Sequence, residues 1–258
     1  MVQTIFTFEV ILKLYLIRHA ESANNAILSN NGDRFSRSPD PELTDTGHQQ
    51  AAILGKHLGS PGAEPRQHPF EAVDDHHFGL THLYCSLMTR SILTSGYIAE
   101  ECGLNRVAHL DIFEKGGIYQ HHPDGRREGL SGADINYFKK RFPDLILPDG
   151  MKRDGWYSRP AETTETFIDR VKLAIADIRE RHEHRDDVVG MVVHGDFIDQ
   201  FINELMGVER RPQNYSGDWV ANWAFHNTSL SRIDFKDGAH TVLYLNRIDH
   251  LPPKLVTW

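Results

Sequence analysis

Lys13-Leu14-Tyr15-Leu16-Ile17-Arg18-His19 is the stretch on which the reading of this chain turns. An apolar run from Leu14 to Ile17 passes directly into an arginine and a histidine. It is too short for a helix and does not alternate, as expected of a strand buried on both faces. Three other runs share its character: Thr81 to Cys85, Arg106 to Phe113 and Val188 to Val193. Helical patterns lie between them. Thr44 is placed to N-cap a helix running through Leu58, and Ser86 to N-cap one running through Ala99. From Thr164, Phe167, Val171, Ile175 and Ile178 recur at near-helical spacing. After Asp196, apolar pairs begin at Phe197, Phe201 and Leu205. Alternation of this kind predicts an α/β protein, with a mostly parallel central sheet and helices on both faces. Leu230 to Phe235 and Thr241 to Asn246, flanking Lys236-Asp237-Gly238, read as a hairpin.

Composition narrows the function. The chain has 258 residues, with 28 Lys plus Arg against 36 Asp plus Glu, a formal net charge of −8. An acidic chain without a basic run is a poor candidate for nucleic-acid binding. Two cysteines, Cys85 and Cys102, cannot build a disulfide framework, so a reducing cytoplasm is the expected compartment. Ile5 to Ile17 is broken by Glu9 and Lys13 and is too short for a membrane span; it reads as a strand with a leading extension. Gly59 to Asp75, Lys115 to Pro160 and Glu209 to Trp223 fit no strand or helix rhythm and read as loops, apart from a helical patch near Ile135 to Arg141. No linker-like shift in composition divides the chain, so residues 1–258 are taken as one domain. The 115–160 insertion is expected to form a lid or cap in which Trp156 and Tyr157 either line the substrate or pack the insertion down.

The chemistry gathers at the ends of the strands. The four runs lead into Arg18-His19, into Ser86 with Arg90 one turn further on, into Glu114, and into His194-Gly195. Ligands of open parallel sheets bind outside the carboxyl ends of the strands. Two guanidiniums suit phosphoryl oxygens, and a helix amino end adds N–H donors. A neutral imidazole can take the phosphoryl group covalently, a second can donate to an oxygen, and a carboxylic acid can protonate the leaving group. Positive charge comes from Arg and His, so neither metal nor cofactor is expected. The pairs His76-His77, His121-His122 and His182/His184 sit in polar or loop contexts that favour ordinary surface roles.

Arg18-His19-Ala20-Glu21-Ser22-Ala23-Asn24-Asn25 resembles the Arg-His-Gly-Glu-Ser-x-x-Asn signature of the histidine phosphatase superfamily, the phosphoglycerate mutase-like proteins of branch 1. Ala20 stands where Gly is usual. Asp40-Pro41-Glu42-Leu43-Thr44-Asp45-Thr46-Gly47 with Gln50-Ala51, Ser86 to Ser91, Val192 to Gly195, and Asn227-Thr228-Ser229 with Asn246 and His250-Leu251 are similar to its later segments in the same order. The resemblance implies a phosphoglycerate mutase-like three-layer sandwich. It also implies that His19 is the nucleophile, with Arg18, Arg90 and His194 completing the phosphate pocket. Asn25, Gly195 and Ser22 would lie near the phosphoryl group or substrate, Ser22 dividing evenly between substrate contact and helix capping. Glu114 matches the acid/base position, with Glu128 and Glu162 as competitors.

The expected activity is therefore metal-independent hydrolysis of a small phosphate ester through a phosphohistidine. A cofactor-dependent phosphoglycerate mutase is the alternative. Against it, Asn25 to Leu43 contains no Trp, and Lys115-Gly116-Gly117 follows the acid where mutases carry Arg-His-Tyr-Gly. A catalytically inactive phospho-ligand-binding module is a third reading, disfavoured because nucleophile, arginines and acid are all present. The resemblance leaves a homodimer open.

Overall fold

The structure, a computed structural model, describes residues 11–29, 32, 34–60, 78–208 and 222–258. In chain order the strands are β1 (Leu12–Arg18), β2 (His82–Ser86), β3 (Arg106–His109), β4 (Tyr119–His121), β5 (Arg127–Gly129), β6 (Leu145–Ile146), β7 (Val188–Val193), β8 (Leu230–Lys236) and β9 (Ala239–Arg247). The α-helices are α1 (Ala23–Ser29), α2 (Asp45–Gly59), α3 (Thr89–Cys102), α4 (Ile135–Arg141), α5 (Thr164–His182) and α6 (Gly195–Met206). Among the described residues, seven strands form one sheet in the order β6-β3-β2-β7-β1-β8-β9, while β4 and β5 pair separately. The first five are mutually parallel, and β8 turns antiparallel against β1.

The apolar run at β1 works because both of its faces are covered. Leu12, Leu14 and Leu16 join Met191 and Val193 of β7 in a core with Phe167, Val171 and Phe197 from α5 and α6. Tyr15 and Ile17 point the other way, into a core with Leu54, Ile92 and Ile98 from α2 and α3. Successive strand residues serve opposite layers, so period-two geometry fed from both sides requires apolar residues at every step.

Three sequence expectations change. β3 stops at His109, and Leu110 to Phe113 leave the sheet, although Ile112 and Phe113 remain 0% and 1% exposed. Ser86 is the last residue of β2 and does not cap α3, whose first turn begins at Thr89. Asp40 supplies that turn's acceptor instead, taking the Thr89 N–H at 3.0 Å and its hydroxyl at 2.7 Å. The 115–160 stretch is not mere covering: β6 pairs with β3 as the edge of the main sheet, and α4 follows its Asp134 N-cap. Trp156 and Tyr157 are buried in the core against Phe113, so they pack the insertion down. Most of the two surface loops expected at 59–75 and 209–223, and the leading extension, fall outside the described residues. Among the described residues, no helix is long and apolar enough to cross a membrane.

Candidate active site

Arg18, His19, Ser86, His194 and Gly195 meet at the carboxyl ends of the neighbouring strands β2, β7 and β1. Arg90 enters from the first turn of α3, and Glu114 from the loop after β3. A cleft of about 410 Å³ opens over them, lined in part by Arg18, Asn25, Arg90, Glu114, Gly195 and Asp196.

His19 is almost fully buried. Its Nδ1 lies 2.7 Å from the Ala20 carbonyl oxygen, which can only accept, so Nδ1 carries the proton. Its Nε2 accepts the Arg90 Nε–H at 3.1 Å, which places a lone pair on that nitrogen. Burial, then the Arg90 and Arg18 charges, hold the imidazole well below its ordinary pKa. His19 is thus a neutral imidazole with its nucleophilic nitrogen turned to Arg90. An anion drawing the guanidinium onto its own oxygens would release that lone pair.

His194 is fully buried, and its ring centroid lies 5.1 Å from that of His19. Its Nε2 lies 2.7 Å from the Ser86 hydroxyl, which also accepts the Met88 N–H at 3.3 Å. That pairing engages Nε2 and leaves Nδ1 as the buried ring nitrogen without a partner. Burial, Arg90 and His19 keep this ring neutral as well.

Glu114 accepts the Lys115 N–H at 2.9 Å and the Asp196 N–H at 3.4 Å. Burial, reinforced by the Asp196 carboxylate, pushes its pKa up to about 7 against the pull of Arg90 and Arg18. The two competitors are engaged elsewhere. Glu128 pairs with His122 and Arg126 on the exposed β4–β5 hairpin, and Glu162 is locked to Arg170 at 2.7 Å.

The segment Leu43 to Gln50 braces the turn behind His19. Thr44 donates its N–H to the Glu21 carbonyl at 3.0 Å, and its hydroxyl oxygen accepts the Gly47 N–H. Gln50 accepts the Glu21 N–H at 2.7 Å. A Cβ on Gly47 would lie 2.1 Å from the Glu21 carbonyl oxygen, which explains the glycine. Asn227 donates to the His19 carbonyl at 3.0 Å from the far side. Ser22 lies outside the cleft lining; its hydroxyl donates to Asn25 Oδ1 at 2.8 Å, just before α1. With its oxygen so occupied, Asn25 keeps its NH₂ for the cleft.

Sequence reasoning quoted Asp40 only as the start of a matched segment and gave it no role; it fixes the start of α3 and lies 3.9 Å from Arg90. Sequence reasoning missed Arg37, Tyr119 and His121, which form the outer wall with Lys115 and Arg127. These residues sit on irregular chain with no recognisable spacing. His121 was the exception in being noticed, but only as a half of a histidine pair. At the opposite end of β2 and β7, His182 gathers with His82 and Asp187, not with His184; their ligand atoms lie within 4.8 Å of one another. His182 is satisfied there by Asp187 at 2.7 Å and the Tyr84 hydroxyl at 3.0 Å. His76 and His77 lie outside the described residues.

Comparison with known proteins bears on the family and the fold. A phosphoserine phosphatase of Hydrogenobacter thermophilus is 26% identical over 250 residues, covering 93% of this chain and 94% of its own. A probable phosphoglycerate mutase of Citrobacter koseri is 25% identical over 232 residues, covering 88% and 86%. A phosphoserine phosphatase variant from Entamoeba histolytica, solved with phosphoserine, shares the fold with a TM-score of 0.56 at 21% identity, covering 93% of this chain and 100% of that one. The profile of the histidine phosphatase superfamily (branch 1) matches residues 14–248. This chain belongs to that superfamily.

Proposed function

We propose that the protein is a phosphomonoesterase that transfers a phosphoryl group to His19 and then to water. The observation that carries this is the His19 tautomer: Nδ1–H held by Ala20, and Nε2 bearing its lone pair beside Arg90. His19 Nε2 attacks phosphorus while the bond to the leaving oxygen breaks. Protonated Glu114 gives that oxygen its proton, and the alcohol departs. Arg18 and Arg90 take phosphoryl oxygens, and the unpartnered His194 Nδ1, carrying the ring proton with Ser86 donating to Nε2, donates to another. Gly195 and Asn25 border the group. Water then attacks the phosphohistidine, Glu114 accepts its proton, the P–N bond breaks, and neutral His19 and phosphate remain. No step calls for a metal.

The outer wall supports a substrate class. Among the described residues, Arg18, Arg37, Arg90, Lys115 and Arg127 line the cleft against Glu114 and Asp196, in a chain whose net charge is −8. Arg18 and Arg90 answer the phosphate. The remainder suits a small metabolite bearing a second anionic group, with the β4–β5 hairpin acting as a cap. The free cysteines Cys85 and Cys102 support a cytoplasmic setting.

The relatives named as mutases keep phosphoglycerate mutase as the second reading. Wild type mixed with radiolabelled phosphate ester and quenched in alkali should retain label on histidine and release phosphate in turnover. Return of the label to a second phosphoglycerate, not to water, would make the protein a mutase. Absence of a labelled enzyme in rapid quench would overturn the covalent route itself.

A further inference from the structure

The loop that carries Glu114 is fastened by a buried ion pair that takes no direct part in the cleft. Arg170, on α5, is 6% exposed. Its Nη1 donates to the carbonyls of Asp111 at 2.7 Å and Phe113 at 3.0 Å, the residues just before Glu114. Its Nε and Nη2 each reach a Glu162 carboxylate oxygen at 2.7 Å. The guanidinium carbon lies 3.5 Å from the centroid of the Phe113 ring. Glu162 closes the other side: its carboxylate accepts the Gly116 N–H at 3.4 Å, and its own N–H donates to the Gly116 carbonyl at 3.2 Å. The Tyr157 hydroxyl donates to the same carbonyl at 3.0 Å.

We propose that Arg170, locked to Glu162, is a positioning residue for Glu114, and that this pair holds the acid at its working distance from the leaving group. The inference rests on Glu114 being the general acid. An arginine is the residue for the task, because its rigid fork can serve two carbonyls and a carboxylate at once. A core ion pair with no positioning role would alter stability alone. This pair bonds the backbone on both sides of one side chain, so loosening it moves that side chain. A displacement near 1 Å costs on the order of 100-fold in rate.

The test is rapid-quench kinetics of phosphoenzyme formation with an alkyl phosphate and with p-nitrophenyl phosphate, together with melting curves. Arg170→Gln is expected to slow the alkyl ester by roughly 10- to 100-fold and the nitrophenyl ester far less, since nitrophenolate leaves without a proton. Its basic limb should move to lower pH as the Glu114 carboxyl gains solvent. The Glu114→Gln/Arg170→Gln double variant should be no slower than Glu114→Gln alone, because both losses pass through one group. Arg170→Lys, which keeps the charge without the fork, should fall between. Should Arg170→Gln fail to fold, Arg170→Met/Glu162→Leu removes both charges together and leaves no uncompensated ion. It loses the same tethers and should show the same selective slowing. A folded variant with unchanged leaving-group dependence, or additive losses in the double variant, overturns the proposal. If Glu114→Gln itself lacks the leaving-group contrast, the error lies in the assignment of the acid.

Discussion

Glu114→Gln replaces a carboxyl whose ionisation the fold resists by a neutral group of the same shape. The burial around Glu114 and the Asp196 carboxylate move its pKa from 4.5 to about 7. At 1.36 kcal/mol per unit, charging it in the folded protein costs about 3 kcal/mol more than in the unfolded chain. Because the folded pKa is the higher one, that contribution to stability is fully present below 4.5, is lost as pH rises through about 7, and is constant beyond. The glutamine variant has no such loss. It should match wild type near pH 4 and exceed it by up to ~3 kcal/mol above pH 7, in urea unfolding measured at unit steps of pH. The kinetic counterpart is a basic limb near 7 in phosphoenzyme formation from an alkyl phosphate, absent from the variant. A stability difference between the two proteins that stays constant from about pH 4 to 8 would refute the reasoning, for it would mean that Glu114 ionises normally and is spent as an acid at neutral pH.

His19→Ala should abolish turnover and the labelled phosphoenzyme, and acid–alkali quench of the variant checks both. Arg90→Ala should forfeit about 2–5 kcal/mol of transition-state stabilisation, read as kcat/KM, with little change in Tm because a crowded positive charge leaves the empty cleft. Gly47→Ala sets a methyl group against the Glu21 carbonyl and should destabilise the fold by about 1–3 kcal/mol in urea, with lowered kcat as the turn after His19 shifts. Asp196→Asn removes the like charge beside Glu114; the basic limb of the pH profile should move to lower pH, and an unmoved limb would assign the raised pKa to burial alone.

What could be read from the sequence was whatever burial writes into local pattern. β1, β2 and β7 are enclosed on both faces, so their apolar runs and the Arg18, Ser86 and His194 that end them were legible. Thr44 caps α2 from the position its spacing implies. β3 was overextended because Ile112 and Phe113 are as buried off the sheet as on it, and a run of apolar residues does not distinguish the two. The start of α3 was misplaced because its cap comes from Asp40, while the Ser86 hydroxyl is committed to His194. Neither partnership has a local signature. From the 115–160 stretch the cleft takes Lys115, Gly117, Tyr119, His121 and Arg127, on the β4–β5 hairpin and the turn before it. Trp156 and Tyr157 turn inward under the loop instead.

One enclosed floor sorts five ionisable groups into three different states, and the direction of each shift follows from what burial penalises. Burial disfavours any charged form, so it lowers the pKa of Arg18, Arg90, His19 and His194 and raises that of Glu114. An arginine starts so far above neutrality that a lowered pKa still leaves it charged. A histidine starts near neutrality and gives way, and the two arginines beside it push in the same direction. Glutamate gives way upward, because the Asp196 charge adds to burial and outweighs the arginines. The same surroundings therefore leave two cations, two neutral imidazoles and a carboxyl that still holds its proton. Mutual repulsion does not disperse the cations because each is tied down separately: Arg18 donates to the Phe225 carbonyl, and Arg90 is held between His19 and Asp40. On the proposed mechanism, an entering dianion would satisfy donors already aimed at one floor, with little rearrangement beyond Arg90 exchanging the His19 lone pair for a phosphoryl oxygen. That exchange would uncover the proposed nucleophile only when there is something for it to attack.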